Sequence, residues 1–328
     1  MKNPGWISPN GERSDLNLKE KIFNKARELG FDKTGVAKAS PFGREIENYE
    51  DWLRRGYNAS LGYMERNLHK RADVREILPS AKSVIVLAMN YYTPFKYKPA
   101  GGKETYGRIS RYAWGTDYHY IIEPKLKEIE EFIREIEPKA ESRSYVDTGP
   151  LMERQWAVRA GIGWQGKNGN VISPEFGSWF FIGVIISSLE LQPDVQIGEM
   201  CAQCTKCINA CPTGAITEPQ VVDANKCIAY WTVEAKPDIE IPDEVGSKLN
   251  NRVFGCDICQ EVCPWNKKAQ KNCMKDFFMP RGLETELELD DIDNMMQEEF
   301  SRRFSKSPVK RTKIAGLKRN ARTIRRLQ

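Results

Sequence analysis

The chain has 328 residues, 40% apolar and 29% charged, with 50 Lys or Arg against 45 Asp or Glu. That composition excludes a collagen-like, low-complexity or disordered chain, and the length suits two domains or one large one with a full core. The net +5 is unevenly placed: residues 301–328 hold eleven Lys or Arg and no acid, leaving 39 basic against 45 acidic residues, a net −6, in residues 1–300.

The N-terminal MKNPGWISPNGERSDLN is polar and lacks the apolar core of an export signal. Leu16–Leu29 places Leu18, Ile22, Ala26 and Leu29 on one face and predicts a helix that Gly30 ends. Phe31–Ala37 predicts a short strand and Pro41–Arg55 a second helix. Ser83–Met89 is a β-branched apolar run and predicts a buried strand. Residues 93–107, rich in Pro, Gly and Lys, predict an exposed loop. The aromatic cluster Arg111–Tyr120 can wall a flat cofactor or simply pack between strand and helix. Ile121–Ile136 predicts a helix with Pro124 in its first turn and Pro138 beyond its end.

Ser144–Asp147 reads as a strand end, and Thr148-Gly149-Pro150 as the turn into a helix running to Ala160, with Gly161 at the C-cap. Asp147 therefore sits between a strand end and a helix start. It is either a helix cap or a proton donor in a cleft. Gly161–Gly166 matches GxGxxG, but a helix rather than a strand precedes it, so it is not a dinucleotide fingerprint. It predicts a glycine-rich loop close to some ligand. Ser178–Ser187 predicts a long buried strand. The longest apolar run, Trp179–Ile186, is too short to span a bilayer. His69 and His119, the two histidines, belong to no metal or triad motif and are expected at the surface or in packing.

Pro193–Glu199 reads as a linker into a cysteine-rich stretch that holds eight of the nine cysteines. Cys201, Cys204, Cys207 and Cys211-Pro212 form a CxxCxxCxxxCP run; Cys227 stands alone; Cys256, Cys259 and Cys263-Pro264 follow. The first run is the bacterial ferredoxin spacing for a 4Fe-4S cluster, in which the fourth cysteine serves the other cluster. The second run is one cysteine short, and Cys227 fills the gap. The expected ligand sets are Cys201, Cys204, Cys207 and Cys263 for one cluster, and Cys211, Cys227, Cys256 and Cys259 for the other. CxxC pairs also bind zinc, but two CP-terminated runs with exchanged fourth ligands favour iron–sulfur. Disulfides would need an oxidising compartment, so reduced cysteines place the chain in the cytoplasm. Cys273 lies outside the pattern and is expected to be an ordinary free thiol.

Glu284–Glu299 carries eight acids and no base, and Asp290–Phe304 predicts a short acidic-to-basic helix. The basic block that follows is either a phosphate contact or a solvated helix face. Two clusters imply one-electron relay, and about 200 residues ahead of them are more than a ferredoxin needs. The front part is expected to hold an acceptor cofactor.

Val146-Asp-Thr-Gly-Pro-Leu-Met-Glu-Arg154, Ala160–Gly163, Gly166-Lys-Asn168, Arg111–His119 and the cysteine runs with their flanks together resemble the epoxyqueuosine reductase family, iron–sulfur and cobalamin enzymes that finish queuosine in tRNA. The resemblance covers roughly residues 15–322. It implies an α+β fold: a nitroreductase-like cobalamin-binding domain over 1–192, a ferredoxin-like two-cluster domain over 193–275, and an acidic-then-basic C-terminal segment over 276–328 that contacts tRNA. The implied oxidoreductase reduces the epoxide of epoxyqueuosine at the tRNA wobble position to queuosine, with Asp147 as proton donor, its carboxyl kept protonated by burial beside the corrin. The implied cofactors are two 4Fe-4S clusters and cobalamin, resting as cob(II)alamin. By motif the corrin contacts are Arg71, Ser110, Asp147, Gly166, Lys167, Asn168, Val171, Ile182 and Gln260. The implied partners are tRNA bearing epoxyqueuosine and an external one-electron donor such as flavodoxin or ferredoxin, with no membrane and a monomeric chain. Some relatives carry Cys where Ser110 stands, and longer ones append helical repeats that this chain lacks. No DxHxxG cobalamin signature is present. The alternatives are another corrinoid reductase, acting on carbon–halogen bonds, or a non-enzymatic electron carrier.

Overall fold

The structure is a computed structural model and describes residues 17–93, 95–97, 105–271 and 285–327. The thiol expected at Cys273 and parts of the 93–107 loop lie outside the described residues. Helices and strands are mixed along the chain and the main sheet is antiparallel, as an α+β fold requires.

Helix α1 (Leu18–Glu28) starts at a capping box: Asn17 accepts from the Glu20 amide, and Glu20 accepts from the Asn17 amide. It leads into β1 (Lys33–Lys38), α2 (Arg44–Arg54), α3 (Leu68–Ala72) and β2 (Ser83–Asn90). After β3 (Tyr106–Ile109) come α4 (His119–Ile136), β4 (Ser142–Tyr145), α5 (Glu153–Arg159), the short hairpin β5 (Trp164–Gln165) and β6 (Val171–Ile172), and β7 (Phe180–Ser187).

Strands β1, β2, β7 and β4 form an antiparallel sheet in that order, with β2 and β7 paired over eight residues. Both faces of β2 are covered. Ile85, Leu87 and Met89 pack with α1 and α4, while Val84, Val86 and Ala88 pack with Trp156 and Ala157 of α5. The period of two along one strand thus feeds two separate cores. Helix α5 lies close because β1 has Gly35 there: a Cβ at that position would stand 2.0 Å from the Ala160 carbonyl oxygen.

The cysteine-rich stretch carries α6 (Lys206–Ala210), the hairpin β8 (Ile216–Glu218) and β9 (Val221–Val222), α7 (Asp243–Gly246), β10 (Arg252–Phe254) and α8 (Ile258–Glu261). The C-terminal part adds β11 (Glu286–Glu288), α9 (Leu289–Asn294), α10 (Gln297–Arg303) and α11 (Lys313–Leu327). A second sheet has the order β10-β3-β11, so β3 lies between a strand from the cysteine stretch and one from the C-terminal part. Around it Trp114, Trp231, Phe254, Phe300, Phe304, Leu317 and Ile324 form a further core.

Three expectations change. The acidic-to-basic segment is two helices, α9 and α10, broken at Met295-Met296. Helix α4 begins at His119, so Pro124 falls in its second turn and leaves the Tyr120 carbonyl without an amide from that residue. Helix α5 begins at Glu153, not Pro150, because Asp147 takes a left-handed backbone (φ 58°) and the chain stays irregular through Met152. Among the described residues, no helix is long and apolar enough to cross a membrane.

Candidate active site

Cys201, Cys204, Cys207 and Cys263 line one cavity of 330 Å³, so the last cysteine of the distal run joins the first three of the proximal run. Two-residue spacing along the loop before α6 aims three thiols at one point. The turn after α8 brings Cys263 from the other side. Trp164 Nε1 stands 3.5 Å from Cys201 Sγ as donor, and the Trp164 and Trp265 rings meet edge to face beside it.

The second set draws its cysteines from three stretches of the chain. Cys227 feels the charge of Cys211, Cys256 that of Cys227, and Cys259 those of Cys256 and Cys227. Burial pushes the Cys256 thiol up to about 12 and Cys259 well above its ordinary value. A thiolate there needs positive charge beside it, which iron supplies. Cys259 also feels Cys207, so the two sets are neighbours. None of the eight described cysteines is in a disulfide, and no three described metal-binding side chains converge as they would on a single ion. An all-sulfur donor set spread around a larger space fits a cubane better than zinc.

Asp147 lies in a second cavity, of 510 Å³, lined by Tyr112, Asp117, Tyr118, His119, Asp147, Glu234 and the segment around Ser307–Arg311. Its amide donates to Glu153 Oε1 at 2.7 Å, and Met152, not Asp147, stands at the N-cap of α5. The helix-capping role is thereby excluded. Its side chain is 54% exposed, so the chain alone does not bury it. Desolvation beneath the loop, with the Asp147 charge adding to it, pushes the Glu153 carboxyl up to about 8.

His119 was expected in packing or at the surface, and the structure places it in this cavity instead. His69 is exposed, as expected. His119 Nδ1 is 2.7 Å from Asp117 Oδ1, and its buried Nε2, without a hydrogen-bond partner, lies 4.0 Å from Asp147 Oδ2. The bond to Asp117 raises the His119 pKa above its usual value despite partial burial. The first turn of α4 thus presents an Asp–His pair to Asp147. The Asp-Tyr-His spacing at a helix start was the available signal, masked by the surrounding aromatics.

The C-terminal part closes the cavity. Asp117 N donates to the Lys306 carbonyl at 2.8 Å, Lys306 Nζ lies over the Tyr120 ring, and Arg311 forks onto both oxygens of Glu234 at 2.6 and 2.8 Å. The basic block is therefore partly structural: Arg319 is buried, Arg325 pairs with Asp290 and Asp293, and Arg326 pairs with Asp243. Lys310 remains exposed at the cavity.

The nine proposed corrin contacts fall in several places. Arg71, buried, donates to the carbonyls of Tyr63 and Leu151 near the Asp147 loop and leaves Nε without a partner. Ile182 is the partly exposed residue of β7, whose other seven are buried. Ser110 Oγ and Gln260 Nε2 both donate to Asp257, and Gln260 Oε1 accepts from Ser178. Gly166, Lys167 and Asn168 form the turn between β5 and β6, with Val171 buried just beyond it. A Cβ at Gly166 would stand 2.5 Å from Ile172 Cδ1, so a side chain there would have to displace the end of that buried isoleucine. Lys167 Nζ donates to the Ala202 carbonyl and Asn168 Nδ2 to that of Cys259, so this turn faces the cysteines.

The family model "Epoxyqueuosine reductase QueG, DUF1730" matches residues 71–148, and "4Fe-4S double cluster binding domain" matches residues 200–266. An epoxyqueuosine reductase of Synechocystis sp. is 45% identical over 84% of this chain and 93% of its own length. That of Atelocyanobacterium thalassa is 41% identical over 93% and 98%. A solved epoxyqueuosine reductase with an epoxyqueuosine-modified tRNA-Tyr stem loop superposes with a TM-score of 0.88 at 32% identity, covering 94% of this chain and 81% of that one. A Bacillus subtilis epoxyqueuosine reductase, solved with its catalytic aspartate loop swung out of the active site, superposes with a TM-score of 0.87 at 32% identity over the same shares.

Proposed function

Because the chain belongs to the epoxyqueuosine reductase family, we propose that it reduces the epoxide of epoxyqueuosine in tRNA to the alkene of queuosine, consuming two electrons and two protons and releasing water. The observation that carries this reading is the meeting of an acid pair, Asp147 and His119, with cationic side chains in one open cavity of 510 Å³. An epoxide opens to an alkoxide, which needs a proton at once, and the departing hydroxyl needs a second. Asp147 delivers the first proton from its carboxyl to the epoxide oxygen. His119 holds the second at Nε2, 4.0 Å from Asp147, and returns it there. Asp117 fixes the ring through Nδ1 and favours the protonated imidazole. Lys310 binds the phosphates of the anticodon strand, and Tyr112 and Tyr118 give the cavity apolar walls.

The two cysteine sets hold two 4Fe-4S clusters, which supply single-electron transfer. A bound cobalamin would supply low-valent cobalt chemistry at carbon. The unpaired Nε of Arg71 and the open side of Ile182 fit a large ligand with an apolar face and polar edges. Ser110 and Gln260 already spend their polar side chains on Asp257, so their contacts to a corrin are through carbon and backbone atoms. Lys167, Asn168, Gly166 and Val171 would hold it near the cysteines. Once bound beside Asp147, it would also provide the burial that the chain alone does not. The chain works in the cytoplasm as a monomer, fed by a flavodoxin- or ferredoxin-type donor.

The test is Asp147→Asn. Nucleoside analysis of tRNA carrying epoxyqueuosine should show queuosine formation reduced by about 100-fold or more, while iron and cobalt contents stay at wild-type levels. Turnover at the wild-type rate would remove Asp147 from the reaction.

A further inference from the structure

The cavity lined by Cys201, Cys204, Cys207 and Cys263 is also lined by Lys167, Lys206 and Lys268, and no carboxylate lines it. Lys206 and Lys268 are exposed, and Met200 beside them is 45% exposed. Glu199, next in the chain, accepts a hydrogen bond from the Cys201 amide. Residues 1–300 carry a net −6, so a rim of lysines here is a local reversal of sign. Cys201, Cys204 and Cys207 are partly exposed beside these lysines, so a cluster held here lies within reach of the surface.

We propose that this lysine-rimmed mouth is the docking face for an acidic one-electron carrier protein, which seats its redox group over the outer cluster. The inference rests on the reading of these four cysteines as cluster ligands. An apolar centre of Met200, Pro264 and Trp265 inside a cationic rim is how a small, transient redox interface is built. The rim steers an acidic partner over about 10 Å at moderate salt and sets the on-rate more than the affinity. The step moves one electron: the carrier is oxidised by one, the outer cluster is reduced by one, and no bond or proton moves.

The experiment uses the cluster-loaded protein under anaerobic stopped-flow, following the loss of cluster absorbance. Reduced flavodoxin is one reductant, and the small methyl viologen radical cation is the other. In Lys206→Glu/Lys268→Glu, reduction by flavodoxin should slow by about tenfold at low salt and lose its salt dependence, while reduction by viologen stays equal or quickens. Equal rates with flavodoxin in variant and wild type overturn the proposal. If the variant loses iron, the wild type decides: slowing of the flavodoxin reaction with added salt supports the face, and indifference to salt overturns it. A tRNA stem loop that blocks flavodoxin reduction competitively would reassign the lysines to RNA and also overturn it. Failure of viologen to bleach either protein instead sinks the cluster reading itself.

Discussion

Glu153 spends its carboxyl on the amide of Asp147, which holds that residue in a left-handed backbone that costs a non-glycine residue about 1 kcal/mol or more. Its proton affinity is raised by burial and by Asp147, to about 8 against an ordinary 4.5. Between those values the folded chain keeps a proton that the unfolded chain has released, so stability falls as pH rises through that window. Glu153→Gln keeps an oxygen acceptor without the charge. It should melt higher than wild type at pH 8, with the difference shrinking toward pH 5; an equal gap at both values would contradict the assignment. For His119 the slope has the same sign, because its folded pKa is also raised. Its raised pKa means that its bond to Asp117 stabilises fully below about 6.5 and that this contribution is lost as pH climbs through the raised value. If His119 supplies the second proton, wild-type turnover falls over the same climb. In His119→Gln it should be about tenfold lower and flat across that range.

Helix α11 shows how a basic segment becomes part of a core. Arg319 is 1% exposed and donates to the carbonyls of Trp231, Ala235, Lys236 and Ile239 and to the Asn320 side chain, while Asn320 itself bridges Thr232 and Val253. Removing the guanidinium takes this donor from the carbonyls of the buried Trp231 and Ala235 and from the Asn320 side chain. Arg319→Met should destabilise by on the order of 3 kcal/mol, seen as a lower melting temperature of the cluster-loaded protein, whereas Arg322→Gln on the exposed face should change it little. Leu317, Ala321 and Ile324 follow the helical apolar spacing, but Arg319, Asn320 and Thr323 beside them are buried too and read in the sequence as solvent-facing, so periodicity shows only part of the inward side of α11. The α1 helix, β2 and β7 were legible because their apolar periods and caps are local. The start of α5 was not, since nothing in a sequence announces an aspartate with positive φ. The grouping of cysteines was legible because short spacings constrain where thiols can point. The Asp147 cavity was not, because it joins Asp117, Asp147 and Lys310 across nearly two hundred positions.

At the scale of the whole molecule, charge is sorted rather than spread. The C-terminal cations divide into those spent on Glu234, Asp243, Asp290 and Asp293 and those left outward at the cavity. Deleting residues 306–328 would therefore remove Leu317, Ala321 and Ile324 from a core and test folding instead of RNA binding. Lys310→Gln is the sharper probe. It should weaken stem-loop binding several-fold and lower the slope of log affinity against log salt by about one, with an unchanged melting temperature. An unaltered slope would exclude Lys310 as a phosphate contact. The sheet β10-β3-β11 has a further bearing on how the protein is made. Strand β3 must wait, during vectorial synthesis, for two partners that leave the ribosome well over a hundred residues later. The Asp147 cavity is walled later still, by residues from Ser307 to Arg311. A nascent chain can thus bring out all eight of these cysteines before the segment that walls this cavity, and a product terminated ahead of Ser307 would lack that wall.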